Sequence, residues 1–314
     1  MSSTSYGKCE TVKIVDTKSI SYQWPLLVFY FLFVTVTPVY ILILICILRA
    51  RRSSVTFKTT FYVILIQHSI ADIFALSFYF FQASSQIIMP NFLFKYQHFR
   101  IAAVYYNGFY WCFVIRCNGI ALMTIQRYLS IVKSISNITR FMHNLKPWKI
   151  SVIYWIPPLF ISAVLFSNPE IRFDTPERMI LVMDPSYISC TTRTLSVFVS
   201  ISCVICIVIY GLIVKFIREN SQSATKTFRR EIRLACQVSL SFAAQLISMI
   251  YLFSSFIFAE TGNTAQIVNL RRFLPLAYGT ISFIGPFTIL IFNKDVLKSL
   301  KMLFLGKKLV SGIQ

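Results

Sequence analysis

Seven stretches of the chain are almost free of charged residues and run for about 20 residues or more: Pro25–Leu48, Thr60–Met89, Ile101–Gln126, Ile150–Ser167, Thr194–Val214, Leu234–Phe258 and Phe273–Phe292. A helix rises about 1.5 Å per residue, so each can cross roughly 30 Å of hydrocarbon. Lipid offers no partner to an unpaired backbone group, which makes the runs helices rather than open strands. They do not alternate over about ten residues as barrel strands do. The second and third exceed the bilayer and are expected to tilt or project beyond it. Between the runs the chain is polar, and the segment after the last one mixes Lys294, Lys298 and Lys301 with Val296, Leu297, Leu300 and Phe304. That pattern predicts a short amphipathic helix on the inner membrane surface.

The expected architecture is therefore an all-α membrane protein, a seven-transmembrane helix bundle. It divides into a tail (1–24), a bundle (25–293) and an amphipathic helix with tail (294–314). Composition agrees: 56% of residues are hydrophobic and 13% charged, against about 25% charged in soluble domains. The net charge of +20 could suggest nucleic acid, but its distribution excludes that reading. With the amino terminus outside, the inner segments (49–59, 127–149, 215–233, 294–314) carry 20 Lys and Arg and three acidic residues. The outer segments carry ten basic and seven acidic residues. Positive charge marks the cytosolic side, so the amino terminus is extracellular. Residues 1–24 lack the apolar core of a cleavable signal peptide. The sequon Asn137-Ile138-Thr139 falls on the cytosolic side and is expected to stay unmodified. Only Cys9 and Cys190 face the oxidising side, either bridged or as two thiols.

Local residues add a resemblance. Gln126-Arg127-Tyr128 closes the third run and is similar to the Asp-Arg-Tyr signature of rhodopsin-like G-protein-coupled receptors. Ser69-Ile70-Ala71-Asp72-Ile73 resembles their mid-helix aspartate pattern, and Trp148 precedes Pro158 by ten residues. In the seventh run, Gly285-Pro286-Phe287-Thr288-Ile289 keeps only the proline of the usual Asn-Pro-x-x-Tyr. The sixth run has neither proline nor tryptophan, the seventh has no lysine for a retinal Schiff base, and no cysteine lies near Ile101. Arg116-Cys117-Asn118-Gly119-Ile120, and Pro147-Trp148-Lys149 leading into Tyr154-Trp155-Ile156-Pro157-Pro158, most resemble class V of the class-gamma superfamily of nematode serpentine chemoreceptors. The resemblance implies a G-protein-coupled chemosensory receptor at the plasma membrane, in sensory cilia, binding a small environmental or pheromone-like ligand and a heterotrimeric G protein.

Two charges inside the apolar runs stand out, because a charge at mid-membrane costs at least a few kcal/mol and usually finds a partner inside the bundle. Arg116 lies three helical turns, about 16 Å, outward from Arg127 on the same face, and Asp72 is at comparable depth. In rhodopsin-like receptors the matching positions flank a sodium ion; by that resemblance Arg116 stands where the cation sits. The expectation is an Asp72–Arg116 ion pair, with water or other polar partners as the alternative. Gln237, Ser241, Gln245 and Ser248 recur at helical spacing on one face of the sixth run, either as interhelical glue or as part of an activation switch.

Ligand contacts are expected in the outer half, from Tyr79, Gln82, Tyr105, Tyr106, Phe109, Cys112, Tyr251 and Tyr278, each of which could equally be packing or an interface anchor. No outer acidic residue stands out as an amine counter-ion. Arg127 and Tyr128 are the candidate activation switch, and Gln126 removes the local acidic partner of Arg127. Lys226, Arg229, Arg230 and Arg233 are expected to bind anionic membrane lipid rather than G protein. No metal site, cofactor or nucleophile motif is expected; with Asp72 the only carboxylate in the runs, a two-aspartate intramembrane protease is excluded. A ligand-gated channel or small-solute transporter is the competing reading, set back by the orientation and by the lack of an inverted repeat.

Overall fold

The computed structural model describes residues 24–165, 171–177, 179, 181–183, 185–220 and 225–305. Helices dominate: α1 (Trp24–Ser53), α2 (Thr60–Ile88), α3 (Pro90–Lys95), α4 (Ile101–Ile131), α5 (Asn137–His143) and α6 (Pro147–Leu165) precede a two-stranded hairpin. Its strands, β1 (Arg172–Phe173) and β2 (Leu181–Val182), pair antiparallel. Then follow α7 (Pro185–Glu219), α8 (Lys226–Glu260), α9 (Thr264–Arg271), α10 (Leu274–Phe292) and α11 (Lys294–Phe304).

The seven apolar runs become α1, α2, α4, α6, α7, α8 and α10. Among the described residues six helical stretches are long and apolar enough to cross a membrane, and α6, 19 residues long, is a further one. The second and third spans, α2 and α4, run for 29 and 31 residues and exceed the length needed, as expected, and two later helices are longer still. α7 and α8 reach 35 residues each, about 52 Å at 1.5 Å per residue, because a helix keeps its hydrogen bonds after the apolar stretch ends. Hydropathy marks where lipid stops, and backbone pairing does not stop there.

α4 is the central helix, packed against α2, α6, α7 and α8, while α10 closes the bundle against α1, α2 and α8. Phe31, Val34, Ile201, Val204, Ile207 and Val208 point outward and are exposed, a face that only lipid solvates well. Polar residues are instead buried inside, among them Asp72, Arg116, Arg127, Gln126 and all four of the α8 stripe. Side chains cap the starts of three helices, Thr225 for α8, Asn263 for α9 and Asn293 for α11. α11 buries Val296 and Leu300 against the bundle and exposes Lys294, Lys298 and Lys301, so the amphipathic pattern is used as read. The hairpin covers the outer end, where Phe173 N–H donates to Gln97 Oε1 at 3.2 Å.

Candidate functional site

Asp72 and Arg116 are both fully buried. They are joined through a third residue rather than in direct contact. Arg116 Nη1 donates to Ser282 Oγ at 2.8 Å, and Ser282 donates to Asp72 Oδ1 at 2.8 Å. Tyr40 donates to Asp72 Oδ2 at 2.8 Å, with His68 Nε2 3.6 Å from the same oxygen. Arg116 Nη1 also donates to the Tyr278 carbonyl at 2.9 Å, and its guanidinium lies 3.9 Å from the centre of the Tyr278 ring. The expected pair is thus a relay. A hydroxyl that accepts from the cation and donates to the anion supplies each charge with a bond and fills the space between them. Ser282, Tyr40 and His68 were not anticipated; the one sequence signal was His68, a helical turn before Asp72 and on its face.

The Arg116-Cys117-Asn118-Gly119 run has a structural explanation at each position. Arg116 enters the relay and Cys117 is fully buried. Asn118 Nδ2 donates to the Tyr154 carbonyl at 2.8 Å. Gly119 leaves room for the bond between His68 Nδ1 and Tyr154 Oη at 3.1 Å: a Cβ there would lie 2.5 Å from both atoms. Beside it, Trp155 Nε1 donates to Gln67 Oε1 at 2.8 Å, and Gln67 Nε2 donates to Ser151 at 3.0 Å. The two short motifs that carried the resemblance therefore meet where α2, α4 and α6 pack.

Outward of the relay lies a small apolar cavity of about 10 Å³, the room of roughly one water molecule. Phe109 and Phe113 line it from α4, Ser248, Tyr251 and Leu252 from α8, and Leu274, Ala277 and Tyr278 from α10. Tyr278 forms its boundary with the relay, held between the Arg116 guanidinium and the Phe109 ring, 4.3 Å away. The structure brings three of the eight anticipated contacts, Phe109, Tyr251 and Tyr278, onto this cavity. Tyr79 packs behind them against Phe29, at 4.8 Å, and Tyr278. Tyr106 stands in an aromatic group with Tyr110 and Tyr187. Tyr105 turns toward α2, its hydroxyl 2.7 Å from Ser85 Oγ, and Gln82 is half-buried on α2. Cys112 is buried, with its carbonyl accepting from Arg116 Nε at 3.2 Å. Cavity residues missed from sequence, such as Phe113 and Leu252, are apolar residues among many and carry no distinguishing pattern.

At the inner end, Arg127 is buried, and its Nη1 is 2.5 Å from Glu231 Oε2 on α8. Its guanidinium lies 3.8 Å from the centre of the Phe61 ring on α2. Gln126 does remove the neighbouring acid, and it bonds Ser130 Oγ at 3.0 Å, but the acidic partner of Arg127 arrives from another helix. Glu231 is one of only three acidic residues in the inner segments, which was the available signal. Tyr128 packs with Ile131, Ile213 and Ala235 between α4, α7 and α8. A second tie joins α8 to α11, Arg230 Nε to Asp295 Oδ2 at 3.0 Å, and Tyr62 on α2 donates to Asn293 Oδ1 at 3.1 Å.

The α8 stripe divides its work. Ser248 donates to the Ala277 carbonyl on α10 at 2.7 Å. Gln245 donates to Ser202 Oγ on α7 at 3.3 Å. Gln237 and Ser241 line an inner cavity with Tyr40, His68, Gly285 and Thr288, next to Pro286. Cys190 is exposed at the outer end of α7, while Cys9 lies outside the described residues. Among the described residues, no group of three or more His, Cys, Asp or Glu is placed to hold a metal ion.

Compared with curated proteins, the chain finds no match. Compared with known families, residues 29–305 match the one described as serpentine type seven-transmembrane G-protein-coupled chemoreceptor Srv. That match begins in α1, ends one residue past α11 and takes in the relay, the outer cavity and the Arg127–Glu231 contact. The chain belongs to the Srv family of nematode serpentine chemoreceptors, multi-pass membrane proteins of the G-protein-coupled receptor type.

Proposed function

We propose that this receptor binds a small molecule between α4, α8 and α10, where the small outer cavity widens to admit it, and passes the event to a heterotrimeric G protein at its Lys/Arg-rich end. The amino terminus is outside, and the site of action is the plasma membrane, in the sensory cilia that the family implies. The observation that carries the reading is the Arg127–Glu231 contact, 2.5 Å between the third and sixth transmembrane helices at the inner end. Swinging α8 outward separates these two side chains, so the contact favours the closed arrangement. A ligand that binds the open arrangement better shifts the population by its differential affinity for the two states. Anionic lipid is the partner of the remaining inner cations and of α11.

The test is a cytosolic second-messenger assay in cells expressing the receptor at matched surface levels, with volatile and water-soluble compounds as stimuli. Glu231→Gln should raise ligand-independent signalling several-fold, and Arg127→Ala should abolish ligand-evoked signalling. Ligand-evoked current that persists with G proteins blocked would refute the coupling and favour a channel.

A further inference from the structure

We infer that Ser54, in the first inner connection, is a phosphorylation site for a cytosolic serine/threonine kinase that reads arginine before the hydroxyl and an apolar residue after it. The inference rests on the orientation with the amino terminus outside and not on the ligand site. Arg49-Ala50-Arg51-Arg52-Ser53-Ser54-Val55 places arginine five, three and two residues before Ser54 and valine directly after it. The bias of positive charge toward the inner side accounts for the number of these cations but not for their order. Of the Ser and Thr residues in the inner segments, Ser54 alone has a basic residue at both the second and the third position before it.

The fold presents this run in a form that a kinase can take. α1 ends at Ser53, and Ser54 has extended backbone (φ −126°, ψ 132°) before a 3₁₀ turn over Val55–Lys58. Its side chain does not cap that turn. Val55 is 80% exposed, an apolar side chain left almost free of packing. Arg52 and Ser53 are exposed as well, with Arg51 and Ser54 half-buried. Among the described residues no carboxylate pairs with Arg49, Arg51 or Arg52. An acidic substrate groove therefore meets unpaired guanidinium groups, each able to donate to a carboxylate in bidentate fashion, while Val55 fills an apolar pocket. Laying Arg51 and Arg52 out beside Ser54 needs only the last turn of α1 to unwind, and helix ends are where fraying costs least. Phe57, buried against Tyr62 with 4.6 Å between ring centres, anchors the turn that follows. In the transfer, Ser54 Oγ bonds to the γ-phosphorus of Mg·ATP, and the bond from that phosphorus to the β–γ bridging oxygen breaks. ADP leaves with the electron pair, and the hydroxyl proton passes to the kinase's catalytic aspartate. Residues 49–59 carry four basic and no acidic residues. A phosphate lowers their net charge from +4 to about +2 and weakens their hold on anionic lipid.

The test incubates the full receptor, purified in detergent, with the catalytic domain of an arginine-directed kinase and Mg·ATP, and maps phosphate by mass spectrometry. Ser54 should carry phosphate, Ser54→Ala should remove it, and Ser53→Ala should leave it in place. Arg51→Ala with Arg52→Ala should slow the transfer about ten-fold or more. Val55→Asp should slow it comparably, at a position too exposed for the change to unfold the receptor. In cells that express the receptor with that kinase active, the same peptide should carry phosphate at Ser54. An amino-terminal epitope on unpermeabilised cells reads the orientation separately. The inference falls if Ser54 stays unmodified in detergent, or if the arginine and Val55 variants react at the wild-type rate. It also falls if Ser54 is bare in cells that display the epitope outside. A bare Ser54 with the epitope inside would overturn the orientation and the site together.

Discussion

Gly119→Ala should break the junction of α2, α4 and α6, although alanine is the better helix former by about 1 kcal/mol. The added Cβ would sit 2.5 Å from His68 Nδ1, 2.5 Å from Tyr154 Oη and 2.8 Å from Tyr154 Cε2. Ordinary contact is about 3.5–4.0 Å, so α4 must withdraw by about 1 Å or the His68–Tyr154 bond must open. Overpacking of this kind costs about 1–3 kcal/mol. Leaving both ends of a buried hydrogen bond unsatisfied adds about 1–3 kcal/mol. Net of the propensity gain, the loss is about 1–5 kcal/mol. It should be read as folded surface fraction in cells and as thermal inactivation of purified protein. Gly211→Ala is the control, because nothing lies within 4 Å of a Cβ there and no loss is expected. Tyr154→Leu in the Gly119→Ala background should cost less than the two single losses together, by about 1 kcal/mol or more, because the clash and the bond share one ring. Wild-type stability of Gly119→Ala, or strict additivity of the pair, would refute the reasoning.

Further predictions follow from the two charge clusters. Asp72→Asn and Arg116→Gln each strand the other charge, at about 3–5 kcal/mol for a buried pair, so each should lower surface expression more than the double variant does. Additive losses would count against coupling through Ser282. Ser282→Ala should cost less than either, since Asp72 keeps Tyr40 and Arg116 keeps the Tyr278 carbonyl. At the inner end, Asp295→Asn should raise ligand-independent signalling less than Glu231→Gln. The side chains of Arg230 and Asp295 are 30% and 42% exposed, against 2% and 22% for Arg127 and Glu231, and exposed pairs contribute only about 0–1 kcal/mol. Equal effects in the second-messenger assay would overturn that ranking.

How much could be read before the structure depends on what each property needs. Lipid imposes one rule along the chain, so seven apolar runs were enough for the helices. Positive charge on alternate connections oriented them. The α8 stripe and the amphipathic α11 were legible because both are periodic within one helix. The relay was only half legible. Depth and facing follow from helical geometry and placed Asp72 and Arg116 together, but the intervening hydroxyl of Ser282 depends on how α10 is rotated, which no spacing within α2 or α4 encodes. Glu231 was missed for the same reason: removing an acid beside Arg127 says nothing about acids on another helix. In the outer half, a protein with 30 Phe and 16 Tyr offers many aromatic candidates of equal sequence merit. Tyr105 faces Ser85 and Tyr278 faces the cavity because of helix rotation alone.

Tyr278 links the outer cavity to the charges beneath it, which makes its two roles separable. Tyr278 lines the cavity, and its ring carries the Arg116 guanidinium at 3.9 Å. Its carbonyl also holds Arg116 Nη1, so any shift of α10 at this point moves the relay to Asp72. Tyr278→Leu keeps an apolar wall and the carbonyl but removes the cation–π contact, about 0.5–2 kcal/mol for a buried pair. Ligand affinity measured on the purified variant should change by less than about three-fold, because the lining stays apolar. The maximal second-messenger response should change more, because the energy linking cavity to relay is altered. Affinity and maximal response moving by the same factor would mean that Tyr278 acts only as a wall. An unchanged response would place the link elsewhere, in the Ser248 bond to the Ala277 carbonyl that ties α8 to α10 one residue away.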